Sequence, residues 1–128
     1  MDDNYKKLFE RNYGIFTESE QEKIRKGNVL LIGTGGIGGV IATNLARMGL
    51  EQMTIYEYDT YSITNANRQI CCFTDTMERN KAIVVKETIQ KINPSAKITV
   101  HERRLHHEEM LDVMEAEKWD VIVPAADE

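Results

Sequence analysis

Apolar residues follow two rhythms along this chain. Asn28–Gly33 (NVLLIG) is a continuous apolar run, the pattern of a strand buried on both faces. Met53–Glu57 (MTIYE), Lys97–Glu102 (KITVHE) and Trp119–Pro124 (WDVIVP) read as three further strands. Helical spacing fills the intervals. One helix is predicted from about Gly36 to Met48, with Gly49 as its C-cap. Asp75 with Glu78 opens another, which carries Ile83, Val84, Ile89 and Ile92 until Asn93-Pro94 ends it. A third covers His107–Lys118, with Met110, Leu111 and Met114 on its buried side. Ahead of the first strand, Thr17 and Glu20 form a capping box for a short helix from Glu18 to about Lys26. Residues 1–16 have scattered aromatics without a period and read as an arm. Tyr58–Thr76 has no period either; it reads as a long loop, and loops of that length in compact domains are usually functional.

Strand and helix thus alternate four times, which demands parallel pairing through right-handed crossovers. The expected fold is α/β, an open and mostly parallel sheet of Rossmann type with flanking helices. Residues 1–27 form the arm and short helix; residues 28–128 form the sheet domain, expected to be truncated on its C-terminal side. A chain of 128 residues with 41% apolar content suffices for one core. The net charge of -5 argues against a general nucleic-acid binder. No apolar run is long enough to span a membrane, and the polar start MDDNYKK is not a secretory signal. Cys71 and Cys72 are adjacent, so they neither staple the fold nor make a zinc set; they read as packing residues in a cytoplasmic protein. His106 and His107 lack companion ligands and read as solvated.

The first chemical signal is Gly33-Thr34-Gly35-Gly36-Ile37-Gly38. It ends a strand, opens a helix, and matches the dinucleotide pattern through Gly33, Gly35 and Gly38. Glycines permit a tight turn and close backbone approach, while a helix N-terminus offers free N–H groups and a positive dipole end to phosphate. Glu57 follows Gly38 by 19 residues, where a carboxylate accepts hydrogen bonds from ribose hydroxyls. This motif alone does not separate NAD from ATP.

The loop separates them. Thr64-Asn65-Ala66-Asn67-Arg68-Gln69 is followed by Lys81-Ala82, Ile92-Asn93-Pro94 and Asp127. GxGGxG, an acidic pair spaced D-x-D, N-x-N-R-Q, Lys-Ala, I-N-P and a final Asp, in this order, resemble the ThiF/MoeB/HesA family of ubiquitin-activating-enzyme-like adenylating domains. The likeness runs from Phe9-Glu10-Arg11-Asn12 to Asp127.

That resemblance implies ATP-dependent adenylation of the C-terminal carboxylate of a ubiquitin-like protein, sulfur-carrier protein or peptide, with release of pyrophosphate. Such a carboxylate is ionised at neutral pH, so no general base is needed. The obstacle is repulsion between anions, which cations and amide donors relieve. The resemblance assigns the nucleotide to Gly33, Gly35, Gly36, Gly38, Glu57, Thr64, Asn65, Asn67, Arg68, Gln69 and Lys81. Arg68 and Lys81 act catalytically as a planar fork and a mobile point charge. Asp127 is the implied Mg²⁺ ligand. Arg11 matches an arm arginine that, in homodimeric members, enters the neighbouring subunit's ATP site, so a homodimer is implied. Glu57 stands where the family more often has Asp, and Glu128 where it usually has Asn. Two alternatives belong to other classes: an inactive subunit that binds and stabilises an active relative, and an NAD(P)-dependent oxidoreductase supported by the glycine pattern and Glu57.

Overall fold

In the computed structural model, residues 3–126 are described. Four parallel strands form one sheet in the order β3-β2-β1-β4: β1 is Asn28–Ile32, β2 Gln52–Tyr56, β3 Lys97–His101 and β4 Val121–Pro124. β1 is flanked on both sides, which is why Val29, Leu30, Leu31 and Ile32 are all buried. The expected parallel Rossmann-type sheet is present.

Two layers of side chains cover the sheet. On one face Val29, Leu31, Met53, Ile55 and Ile98 pack against Ala42 and Ala46 of α3 (Gly38–Met48) and Val85 and Ile89 of α4 (Lys81–Ile92). The alanines let α3 lie close to the strands. On the other face Leu30, Ile32, Tyr56 and Leu105 meet Met110 and Val113 of α5 (His107–Ala116), together with Trp119 and Ile122. Among the described residues no helix is long and apolar enough to cross a membrane.

Several expectations need correction. The arm is folded: Asp3–Leu8 is helix α1 and Glu10–Asn12 a short 3₁₀ turn. Tyr5 and Phe9 are buried. The Tyr5 hydroxyl donates to the Gly49 carbonyl at 2.7 Å and accepts from Gln21 Nε2 at 3.0 Å. Aromatics that lacked a period were anchors for a short helix, too few to make one. The capping box at Thr17 and Glu20 does open helix α2, Glu18–Arg25.

Helix α4 starts later than Asp75 and Glu78 suggested. Asn80 is its cap, accepting from the N–H groups of Ala82 and Ile83, while Glu78 has φ of 66°, outside any right-handed helix. Leu111 is 68% exposed, because Met110 and Val113 fill the sheet-facing side of α5. His106 and His107 are exposed, as expected, and the His106 N–H donates to Glu109 Oε1 at 3.0 Å at the start of α5. Both cysteines are buried, as expected of packing residues.

Candidate functional site

The C-terminal ends of the parallel strands open into a cleft of about 390 Å³, the usual position for ligands in open α/β sheets. One end of it is the turn between β1 and α3. Gly33 adopts φ +97°, and a Cβ there would lie 2.8 Å from the Ala126 nitrogen. A Cβ on Gly38 would run into the Gly33 carbonyl and stand 2.8 Å from its carbon. These two glycines are required by the protein's own packing. Gly35 and Gly36 are different: the nearest atoms to a Cβ are Gln69 Nε2 at 3.8 Å and Arg68 Cγ at 3.8 Å. Their missing side chains leave room in the cleft. Helix α3 starts there without any side-chain cap, and the Gly39 N–H is met by the Gly35 carbonyl at 3.2 Å.

The loop after β2 brings the second half of the site. Its ends are stitched together: Tyr61 N–H donates to Arg79 O at 3.0 Å and Glu78 N–H to Tyr61 O at 2.8 Å. Inside it, Tyr61, Cys71 and Cys72 are buried; desolvation pushes the Cys71 thiol and the Tyr61 hydroxyl upward. The excursion thereby becomes a compact platform that holds Arg68 and Gln69 against the cleft. Arg68 Nη1 donates to Thr64 O at 3.2 Å and to Asn67 Oδ1 at 3.0 Å. Gln69 is 6% exposed, and its Oε1 is the one buried side-chain oxygen or nitrogen without a hydrogen-bond partner among the described residues. An unpaired buried acceptor beside a cleft asks for a donor from a ligand.

Lys81 enters through the cap of α4. Asn80 fixes the helix start and ties it to β2 by donating from Nδ2 to Glu57 O at 3.0 Å. The Lys81 side chain is 7% exposed, and its ammonium lies 3.3 Å from Asp59 Oδ2 and 5.9 Å from the centre of the Tyr61 ring. Glu57 is buried, and Oε1 accepts from Thr34 N–H at 2.8 Å and Thr34 Oγ1 at 2.9 Å.

The remaining wall was not foreseen from the sequence. Ile32, Tyr56 and Leu105 make an apolar floor, flanked by Tyr58, Arg103 and Arg104. Arg103 lies 5.2 Å above the Tyr56 ring and pairs with Glu109 at 2.7 Å. Arg104 stacks 4.7 Å from the Tyr58 ring centre and donates to its hydroxyl at 3.1 Å. Their position directly after β3, at the ligand end of a parallel sheet, was the available signal.

Of the residues singled out in the sequence, the structure places Gly33, Gly35, Gly36, Glu57, Arg68, Gln69 and Lys81 around one cleft. Gly38 supports it from behind. Thr64, Asn65 and Asn67 do not line it; they order the loop, with Asn65 Oδ1 accepting from Ser62 N–H at 2.9 Å. Arg11 is exposed beside Asn12, which donates to Met48 O at 3.1 Å, so it sits at the end of α3 remote from the cleft. Asp127 lies outside the described residues.

A glycine turn at the mouth of a parallel sheet, facing a cationic loop and an apolar shelf, defines a Rossmann-like α/β domain. More particularly, the chain belongs to the ThiF family, whose model matches residues 9–128. It is 27% identical over 125 residues to a tRNA threonylcarbamoyladenosine dehydratase of Haemophilus influenzae, covering 98% of this chain and 48% of that protein. It is 27% identical to a sulfur carrier protein adenylyltransferase of Thermus thermophilus, covering 84% of this chain and 39% of that one. The crystal structure of the E. coli tRNA N6-threonylcarbamoyladenosine dehydratase in complex with ATP superposes with a TM-score of 0.94 at 27% identity. That match covers 99% of this chain and 52% of the other. The chain spans about half the length of the first of these curated relatives. Membership of the family and the Rossmann-like fold both agree with the motif reading.

Proposed function

We propose that this chain is the nucleotide-binding half of an enzyme that adenylates a carboxylate with ATP. The observation that carries the reading is the open turn at Gly35 and Gly36, facing Arg68, Lys81 and the orphaned Gln69 Oε1 across one cleft. ATP supplies an α-phosphorus with pyrophosphate as leaving group. The chain's own contribution is electrostatic and positional. The N–H groups at the start of α3 meet phosphate oxygens; Arg68 and Lys81 oppose the negative charge that grows as two anions approach. Ile32, Tyr56 and Leu105 offer the base an apolar surface. A Mg²⁺ ion prefers one or two carboxylates and phosphate oxygens, and Asp127 is our choice for the protein ligand, on the family resemblance. Arg11 is assigned to the neighbouring cleft of a homodimer on the same ground. Its place at the far end of α3 keeps it from its own cleft.

We take the acceptor to be the C-terminal carboxylate of a ubiquitin-like or sulfur-carrier protein or a peptide. A tRNA-borne carboxylate is the second reading, favoured by the likeness over almost the whole chain to proteins named as tRNA threonylcarbamoyladenosine dehydratases. An NAD(P) oxidoreductase ranks below both, because Arg68, Gln69 and Lys81 have no task in hydride transfer. The deciding assay is ATP–pyrophosphate exchange in the complete protein, with a sulfur-carrier protein and a threonylcarbamoyladenosine-bearing tRNA offered separately. Exchange dependent on one acceptor, and lost in Arg68→Ala and Asp127→Ala, supports the reading. Undiminished exchange in those variants, or NAD displacing an ATP analogue at lower concentration than ATP does, refutes it.

A further inference from the structure

The apolar floor that the adenylation reading offers to the base is almost shut in this structure. Ile32, Tyr56 and Leu105 leave only 9%, 7% and 7% of their surfaces exposed. From below they pack with Met110 and Val113 of α5. From the cleft side, two arginines that follow β3 reach back over the end of β2. Arg103 lies 5.2 Å above the Tyr56 ring, while Arg104 lies 4.7 Å from the Tyr58 ring centre and donates to its hydroxyl at 3.1 Å. All four side chains line the cleft. A planar base stacks only on surface it can touch, so it has nowhere to lie until this cover moves.

The two contacts differ in how firmly they are held. Arg103 is braced, since it also pairs with Glu109 of α5 at 2.7 Å and donates to Arg104 O at 3.3 Å. Arg104 and Tyr58 are both exposed and come from separate loops, 46 positions apart. One exposed cation–aromatic contact and one hydrogen bond together hold such a pair closed by a factor of about ten. That keeps the floor covered most of the time, yet yields to a ligand.

We propose that Tyr58 and Arg104 form an autoinhibitory latch, which holds the segment after β3 over the apolar floor and must open before a nucleotide base enters. This latch presupposes the ATP-binding reading above. Its signature is a gain. Affinity is reduced by the fraction of molecules that stand open, so breaking the latch tightens binding although it removes contacts from the cleft wall. Residues that simply touched the nucleotide would act in the opposite sense.

Isothermal titration with ATP and stopped-flow mixing with N-methylanthraniloyl-ATP test this in the complete protein. Tyr58→Phe keeps the ring and loses the hydroxyl; Arg104→Lys keeps the charge and loses the planar stack. Each tightens ATP binding by about threefold and the double variant by about tenfold, with faster association and an unchanged dissociation rate. A double variant that binds ATP no more tightly than wild type, or more weakly, overturns the latch. Binding by the double variant with none by wild type supports it in its extreme form. Absence of ATP binding in both overturns the functional reading beneath it instead.

Discussion

Two glycines of the same turn should respond in opposite ways to the same methyl group. At Gly38, an added Cβ meets the Gly33 carbonyl group, with the carbon at 2.8 Å, and Ala125 Cβ at 3.3 Å. The obstructing atoms are backbone, so helix α3 must move off the sheet. Overpacking of this kind costs about 3 kcal/mol, which for a chain of this size is roughly 12 °C in Tm. At Gly35 the only atom a Cβ approaches is Gln69 Nε2, at 3.8 Å, and the residue does not require positive φ. Alanine there restricts the unfolded chain and leaves stability within about 1 kcal/mol of wild type. The methyl nevertheless enters the cleft where we propose that phosphate sits. A displacement of about 1 Å at a reacting group is enough for roughly a hundredfold loss, so we expect ATP binding to weaken by at least about tenfold. Thermal unfolding followed by circular dichroism, with and without ATP, separates the cases. Gly38→Ala should melt early in both conditions; Gly35→Ala should melt normally and lose the ATP-induced shift. Equal destabilisation by both, or undiminished ATP stabilisation of Gly35→Ala, would refute the division of labour.

Three more expectations concern the scaffold. Asn80→Ala removes the α4 cap and the bond to Glu57 O, and should cost about 1–2 kcal/mol in chemical denaturation while weakening ATP binding through Lys81; unchanged stability rejects the cap's role. The Arg25 guanidinium, 2.7 Å away, holds the Glu22 carboxyl down to about 2 from its ordinary 4.5. That stabilisation is complete above pH 4.5 and is lost as pH falls toward 2, so the Tm gap between wild type and Glu22→Gln should close over this interval; a gap independent of pH contradicts the pairing. Burial raises the Cys71 thiol above its ordinary value, so it should resist a disulfide reagent at pH 8 until the protein is unfolded; prompt labelling of Cys71 in a Cys72→Ser background shows the loop to be open.

Strand positions were legible because period and burial coincide: Val29, Leu30, Leu31 and Ile32 are all apolar since β1 has helices on both faces. The glycine turn was legible for a similar reason, as its chemistry and its context lie within six residues. Other features depended on distant partners. Nothing local to Tyr5 announces that its hydroxyl meets Gly49, 44 positions away. Asp75 and Glu78 make a plausible cap in isolation, and only the stitching of Thr60 to Asn80 shows that the helix begins later. Likewise, spacing identified Glu57 as an acid at the end of a strand, whereas its commitment to Thr34 is visible only in three dimensions.

Helix α3 is a rod of 11 residues, about 16 Å long, with the glycine turn at one tip and Tyr5, Asn12 and Gln21 gripping the other through Met48 and Gly49. A pivot of roughly 4° at the gripped tip swings the other by about 1 Å. Fusion partners placed directly ahead of Tyr5 can therefore shift the glycine turn from the opposite end of the domain, and a spacer is the sensible precaution when such proteins are prepared.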